Sequence, residues 1–172
     1  YNCWDEGFNH LERVIIMGRL IVIGGVAAGM SAASKARRVN PELIIDVYTD
    51  EEFIAYSGCG LPYYSQGVME EWALFARSIE EFAQQGINVH IKCNARAINP
   101  ARKAVLIKQE NGMESWESYD KLIIATGARP IKPDLPGIEL PGVLTMKQVP
   151  DAKAIRNIIE EKQAKKAVIV GG

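Results

Sequence analysis

The segment Leu20-Ile21-Val22-Ile23-Gly24-Gly25-Val26-Ala27-Ala28-Gly29 constrains the fold of this chain more than any other. A short β-branched run reads as a buried parallel strand. The glycines impose an abrupt turn, and Ala27–Val39, rich in Ala, Lys and Arg, predicts a helix that stops before Asn40-Pro41. Leu43–Tyr48 (LIIDVY) reads as a second strand, which completes a βαβ unit of about 30 residues. The fold class is therefore α/β, built on a parallel sheet.

A glycine-rich joint between strand and helix is where a dinucleotide fingerprint belongs, and the domain it implies is Rossmann-like. Gly24 permits the tight turn and Gly29 permits close helix–strand packing. The helix start, Ala27 and Ala28 included, offers free N–H groups and a positive dipole end to a pyrophosphate. Against G-x-G-x-x-G the middle glycine is Val26. An ordinary tight turn explains the glycines as well. The acid expected on a ribose some 20 residues later has no single match. Asp46 lies inside the second strand, Thr49 occupies the strand end, and Asp50 serves equally as a ribose ligand or as a solvated turn residue.

Residues 50–66 read as a loop with a helix starting near Cys59. Ile79–Gln85 reads as a helix closed by Gly86, and Ile87–Lys92 as a strand. A meander follows over Ala95–Ile98, Ala104–Lys108 and Glu114–Ser118, with a turn at Asn111-Gly112. Leu122–Ala125 is another buried strand, running into Thr126-Gly127. Four prolines make 129–142 a linker, and Asp151–Lys165 and Ala167–Val170 read as helix and strand. A strand followed by glycines thus occurs twice, at 20–25 and 167–172, which predicts two nucleotide-binding domains. The expected layout is a leader at 1–16, a first domain over 17–128, the linker, and the start of a second domain over 143–172, within a longer parent chain.

The charge balance, 20 Lys+Arg against 21 Asp+Glu in 172 residues, offers no general attraction to nucleic acid or to anionic membrane. The apolar stretch Leu20–Ser34 falls short of the roughly 20 residues a membrane span needs. Read as a signal peptide, it leaves its glycines unexplained. Cys3, Cys59 and Cys93 are too few and scattered for a disulfide scaffold, so a cytoplasmic setting is expected. His10 and His90 lie far apart with no C-x-x-C pair, and no metal site is expected.

Cys59 sits in Ala55-Tyr56-Ser57-Gly58-Cys59-Gly60-Leu61-Pro62-Tyr63-Tyr64. A cysteine between glycines is poorly placed for core packing, and a helix start favours its thiolate. Tyr64 stands where a C-x-x-x-x-C partner would be. The thiol is therefore expected to form a sulfenic acid or a mixed disulfide with a small thiol. Cys93 ends a strand and reads as packing.

Together GGVAAG, SGCGLPYY, YDKLIIATGARP and the terminal VIVGG resemble the pyridine nucleotide–disulfide oxidoreductases. The resemblance is to the single-cysteine branch with coenzyme A-disulfide reductases, NADH oxidases and NADH peroxidases. It implies that Gly24, Gly25, Val26, Ala27, Ala28 and Gly29 hold the FAD pyrophosphate. It further implies that Ala125-Thr126-Gly127 passes beside FAD, and that Ala95, Gly58, Thr49 and Asp50 stand among the cofactor contacts. Cys59 becomes the redox thiol against the flavin, and Gly171-Gly172 opens an NAD(P)H-binding domain. Lys35 and Arg38 become contacts for coenzyme A phosphates, although a basic solvated helix face accounts for them equally. The resemblance also implies a homodimer and a small thiol or disulfide substrate. Two departures stand out: Thr49 replaces the family's Glu at the strand end, and Ala55 replaces the first serine of Ser-Phe-x-x-Cys, leaving Ser57 or the Tyr56 hydroxyl as substitutes. A flavin reductase for a protein partner, and a nucleotide-binding module without chemistry, are the competing readings.

Overall fold

The computed structural model describes residues 18–161 and 164–170. β1 (Arg19–Ile23) leads through the glycine turn into α1 (Ala27–Val39) and β2 (Ile44–Tyr48). A 3-10 turn at Gly58–Gly60 runs into the short α2 (Leu61–Ser65), and a second 3-10 turn follows at Glu71–Leu74. Then come α3 (Ile79–Gln84), β3 (Ile87–His90), β4 (Asn94–Asn99), β5 (Ala104–Lys108), β6 (Glu114–Ser118), β7 (Lys121–Ile124) and α4 (Val149–Glu160).

Four strands form a parallel sheet in the order β3-β2-β1-β7, and β4, β5 and β6 form an antiparallel meander. Alternate side chains of the parallel sheet serve two cores. Leu20, Val22, Ile45, Val47 and Ile87 face Met30 and Ala33 of α1 and Phe82 of α3. Ile21, Ile23 and Tyr48 face Val105 and Ile107 of β5. The result is helices, parallel sheet and meander in three layers. Each fully buried Ile or Val contributes about 1.5–3 kcal/mol.

β1 is flanked by β2, reached through α1, and by β7, reached after the meander. The carboxyl end of β1 is therefore the place where the strand order reverses, the general position of ligand crevices in open α/β sheets.

α4 belongs to a third cluster. Val149 and Ala152 are fully buried against Tyr56, Leu61, Tyr64 and Leu74, and Lys153 pairs with Glu71 at 2.7 Å. The helix begins two residues before the expected Asp151. Gln148 and Asp151 form a capping box, and Pro150 fits the first turn, where no N–H is needed. The strand expected at Ala167–Val170 is absent: these residues have no regular structure, and Val168, Ile169 and Val170 are exposed. A β-branched run becomes a strand only where a neighbour offers hydrogen bonds, and none of the seven strands pairs with it. Residues 1–16, with the expected leader, and the pair Gly171-Gly172 lie outside the described residues. Among the described residues no helix is long and apolar enough to cross a membrane.

The two sheets are tied by a polar cluster. The Arg19 guanidinium donates to Asp46 Oδ2 at 2.7 Å, Glu117 Oε2 at 3.0 Å and the Ser118 carbonyl at 3.1 Å. Asp46 also bonds Asn88 Nδ2 at 3.1 Å and His90 Nε2 at 3.2 Å, and the His90 ring stacks on Tyr48. Burial pushes the Asp46 carboxyl up, but the hydrogen bonds from His90, Arg19 and Asn88 outweigh it and hold the group at about 2. That value lies below the ordinary 3.8. The stabilisation is therefore fully present above pH about 4 and lost as the pH falls towards 2, a change of ~2 kcal/mol. Urea unfolding midpoints should fall across that window, and Asp46→Asn should flatten the dependence. An equal slope in both proteins would remove Asp46 from the account.

Candidate functional site

The site is built on backbone contact. Gly24 takes φ +115°, and a Cβ on it would collide with the Ala125 carbonyl oxygen. A Cβ on Gly29 would collide with the Gly24 carbonyl. Only glycine allows α1 to start this close to the ends of β1 and β7, as the fingerprint reading requires.

α1 presents an open N-terminus. Its N-cap is Val26, with no capping side chain and no acid in the first turn, and Ala27 and Ala28 are exposed. Its first amides thus have no side-chain partner while the helix dipole is positive there, which is the chemistry a pyrophosphate needs. The donor set fits a dinucleotide even with Val26 in place of the middle glycine. On the far side, Ala125 N–H donates to the Ile23 carbonyl at 2.7 Å, and Gly127 turns the chain away at φ +66°. This brings Ala125-Thr126-Gly127 beside the turn.

Two segments meet at Gly25. Its Cβ position lies 2.9 Å from the Thr49 methyl, and its carbonyl accepts Ala55 N–H at 2.8 Å. Thr49 is buried, and its hydroxyl accepts Glu51 N–H at 3.3 Å, so it closes a local turn. The Asp50 carboxylate is held by Arg129 at 3.0 Å. That pair joins the ends of β2 and β7 and so spans β1. Arg129 lies within the YDKLIIATGARP motif, but its pairing with Asp50 follows only from the β2-β1-β7 order.

Ala55 opens the cysteine loop at φ +50°, a left-handed conformation costly for alanine. It is held by its bond to Gly25 and by Ala76 N–H, which donates to its carbonyl at 3.0 Å. Ser57 caps the following turn, its Oγ accepting Gly60 N–H at 3.1 Å. Cys59 is exposed inside that turn, and Gly58 beside it has open space around its Cβ position. The Tyr56 hydroxyl donates to Glu51 Oε2 at 2.8 Å. Burial, and then this bond, push the Tyr56 phenol well above its ordinary value. The Tyr56 hydroxyl is thus a donor to Glu51, while the Ser57 Oγ accepts the cap bond and keeps its own O–H to donate.

A hollow of about 640 Å³ lies between residues 50–53, 128–132 and 145–151, with Glu51, Phe53, Arg129 and Lys147 in its wall. Sequence reasoning missed Glu51. The acidic run Asp50-Glu51-Glu52 was the available signal, but only the fold distinguishes its members. Ala95 lies apart from this hollow, paired with Ile107 and packed on the inter-sheet core. Lys35 and Arg38 are exposed on α1 with no ion pair among the described residues. Arg37 between them is structural, donating to the Pro41, Leu43 and Gly86 carbonyls. Cys93 is half-buried in the inter-sheet core, and burial raises its thiol. Among the described residues no three His, Cys, Asp or Glu side chains are grouped to hold a metal.

A family model described as pyridine nucleotide-disulphide oxidoreductase matches residues 18–172. An NAD(P)H sulfur oxidoreductase (CoA-dependent) from Pyrococcus abyssi is 38% identical over 89% of this chain and 34% of its own length. An NADH oxidase from Methanocaldococcus jannaschii is 36% identical over 89% of this chain and 35% of its own. Among solved structures, an NAD-dependent persulfide reductase from A. fulgidus superposes with a TM-score of 0.79 at 38% identity, covering 83% of this chain and 27% of that one. The chain spans about a third of the length of the curated relatives it matches.

Three outcomes follow from this geometry. Gly29→Ala should cost about 3 kcal/mol or more in urea unfolding, because a backbone carbonyl must move. Gly58→Ala, with nothing near its Cβ position, should shift stability by no more than about 0.5 kcal/mol. N-ethylmaleimide followed by peptide mapping should modify Cys59 well before Cys93. The reverse order would contradict the exposure of the cysteine loop.

Proposed function

Because the chain belongs to the pyridine nucleotide-disulphide oxidoreductase family, we propose that it is the flavin-binding part of an FAD-dependent NAD(P)H oxidoreductase with Cys59 as its redox thiol. Its substrate is a small disulfide or persulfide, such as one carrying coenzyme A. The observation that carries this reading is the 2.8 Å bond from Ala55 N–H to the Gly25 carbonyl. It joins the loop of an exposed thiol to the turn whose amides fit a pyrophosphate. Members of this family bind FAD and NAD(P)H.

FAD, when bound, supplies two-electron transfer between nicotinamide and thiol. The chain's own residues do the rest. Gly24–Gly29 and the start of α1 orient the pyrophosphate, and Ala125–Gly127 forms the opposite wall. Ser57 holds the turn that keeps Cys59 accessible. Lys35 and Arg38 attract the phosphates of coenzyme A from the solvent face of α1. On this reading 17–128 forms the N-terminal part of the FAD domain, 129–142 leaves it, and 143–172 begins the NAD(P)H domain at Gly171-Gly172. The parent protein is a cytoplasmic homodimer.

The NADH oxidase relative supports a second reading, in which Cys59 alternates between thiol and sulfenic acid. Coenzyme A disulfide separates the two. In the first, the Cys59 thiolate attacks one sulfur, a Cys59–CoA disulfide forms and the other CoA leaves as thiolate. Intact mass should show one reducible CoA adduct, absent in Cys59→Ser. Replacing both Lys35 and Arg38 by Glu should slow its formation about tenfold, with little effect on the rate with an uncharged disulfide. No adduct with coenzyme A disulfide, but an added oxygen on Cys59 from peroxide, would favour the oxidase reading.

A further inference from the structure

We infer that Glu51 is the carboxylate that binds the adenosine ribose of the cofactor, held for that task by Tyr56. The inference rests on the FAD reading above and concerns only which residue of this chain meets the ribose diol. A dinucleotide fold places an acid at the end of the second strand for this purpose, and four residues compete for the role here. Thr49 is 3% exposed, carries no charge, and its hydroxyl is used by Glu51 N–H. The Asp50 carboxylate is paired with Arg129 at 3.0 Å. Glu52 lies towards Lys92, 3.8 Å away, and its side chain is largely exposed.

Asp50, Glu51 and Glu52 all line the hollow that also borders Ala128 and Arg129, just beyond β7 at the reversal of strand order. Glu51 differs in the group that holds it. Its Oε2 accepts the Tyr56 hydroxyl at 2.8 Å, and Oε1 accepts no hydrogen bond among the described residues. Tyr56 is buried and keeps its proton, so it acts as a fixed donor that leaves Glu51 ionised and in one orientation. A carboxylate with one oxygen held and one vacant can accept from a ribose hydroxyl. The same tyrosine lies three residues before Cys59, so ribose binding and the position of the thiol loop share one hydrogen bond.

Flavin-fluorescence titrations of the chain with FAD and with FMN test this directly, because FMN lacks the adenosine. The unsubstituted protein should bind FAD more tightly than FMN. Glu51→Gln should weaken FAD about tenfold or more, the loss expected for a hydrogen bond to a charged acceptor, and leave FMN unchanged. Tyr56→Phe, which keeps the carboxylate but removes its donor, should weaken FAD by a smaller factor. Glu52→Gln, with the same charge change one residue on, should leave FAD affinity within twofold. Each variant is compared at equal urea midpoint, so a folding defect is not read as lost affinity. FAD affinity untouched by Glu51→Gln, or FAD and FMN weakened alike, overturns the assignment while the flavin reading stands. An unsubstituted protein with no preference for FAD over FMN overturns both.

Discussion

Three backbones meet at Gly24 and Gly29, and the rest of the site depends on that contact. Gly29 lies against the Gly24 carbonyl and Gly24 against the Ala125 carbonyl, each too close for a Cβ between them. The contact sets the start of α1 at the edge of the sheet. It also holds the end of β7 beside the end of β1, in register from Leu20↔Lys121 to Ile23↔Ile124. An anion site at a helix N-terminus needs its amides free and its surroundings fixed. The glycines provide the second condition, and the uncapped start at Val26 provides the first.

The meander is held to this sheet by charge as well as by apolar packing. Val105 and Ile107 cover Ile21 and Ile23. Arg19 adds a directional tie, because its guanidinium meets Asp46 of β2 and Glu117 of β6 at once. A buried ion pair of this kind is weak evidence for net stability, since desolvation offsets much of the attraction. Its directional demand is the larger effect. Four hydrogen bonds from one side chain, to Asp46, Tyr48, Glu117 and Ser118, are satisfied in one relative position of the two sheets and in few others.

How much of this was legible in the chain follows from how local each signal is. The bounds of α1 agree from Ala27 to Val39, because the glycines before it and Asn40-Pro41 after it act on neighbouring residues. β5 and β6 agree for the same reason, their turn at Asn111-Gly112 closing through Gly112 N–H to the Gln109 carbonyl. The close approach at Gly24 and Gly29 and the exposure of Cys59 were legible because glycine in a turn and cysteine between glycines have few other uses. What was not legible is long-range. Arg129 claims Asp50 from 79 residues away. Tyr56 claims Glu51 only because Ala55 turns left-handed between two backbone bonds. The strand expected at Ala167–Val170 failed for the converse reason: its local pattern is right, but a strand needs a partner that local pattern does not supply.

The two departures from the family pattern meet at a single residue. Thr49 stands where a longer acidic side chain is usual, and its methyl packs on Gly25. Ala55 stands where serine is usual, and its N–H holds the Gly25 carbonyl. The Thr49 hydroxyl then closes a turn with Glu51 N–H at the end of β2. Loss of a hydroxyl at 55 removes a polar group from a buried position whose backbone bonds are already made. Both departures therefore stand against Gly25, one through a methyl and one through a backbone bond. Beside them Glu51 and Tyr56 hydrogen-bond to each other at the hollow, on the loop that carries the thiol.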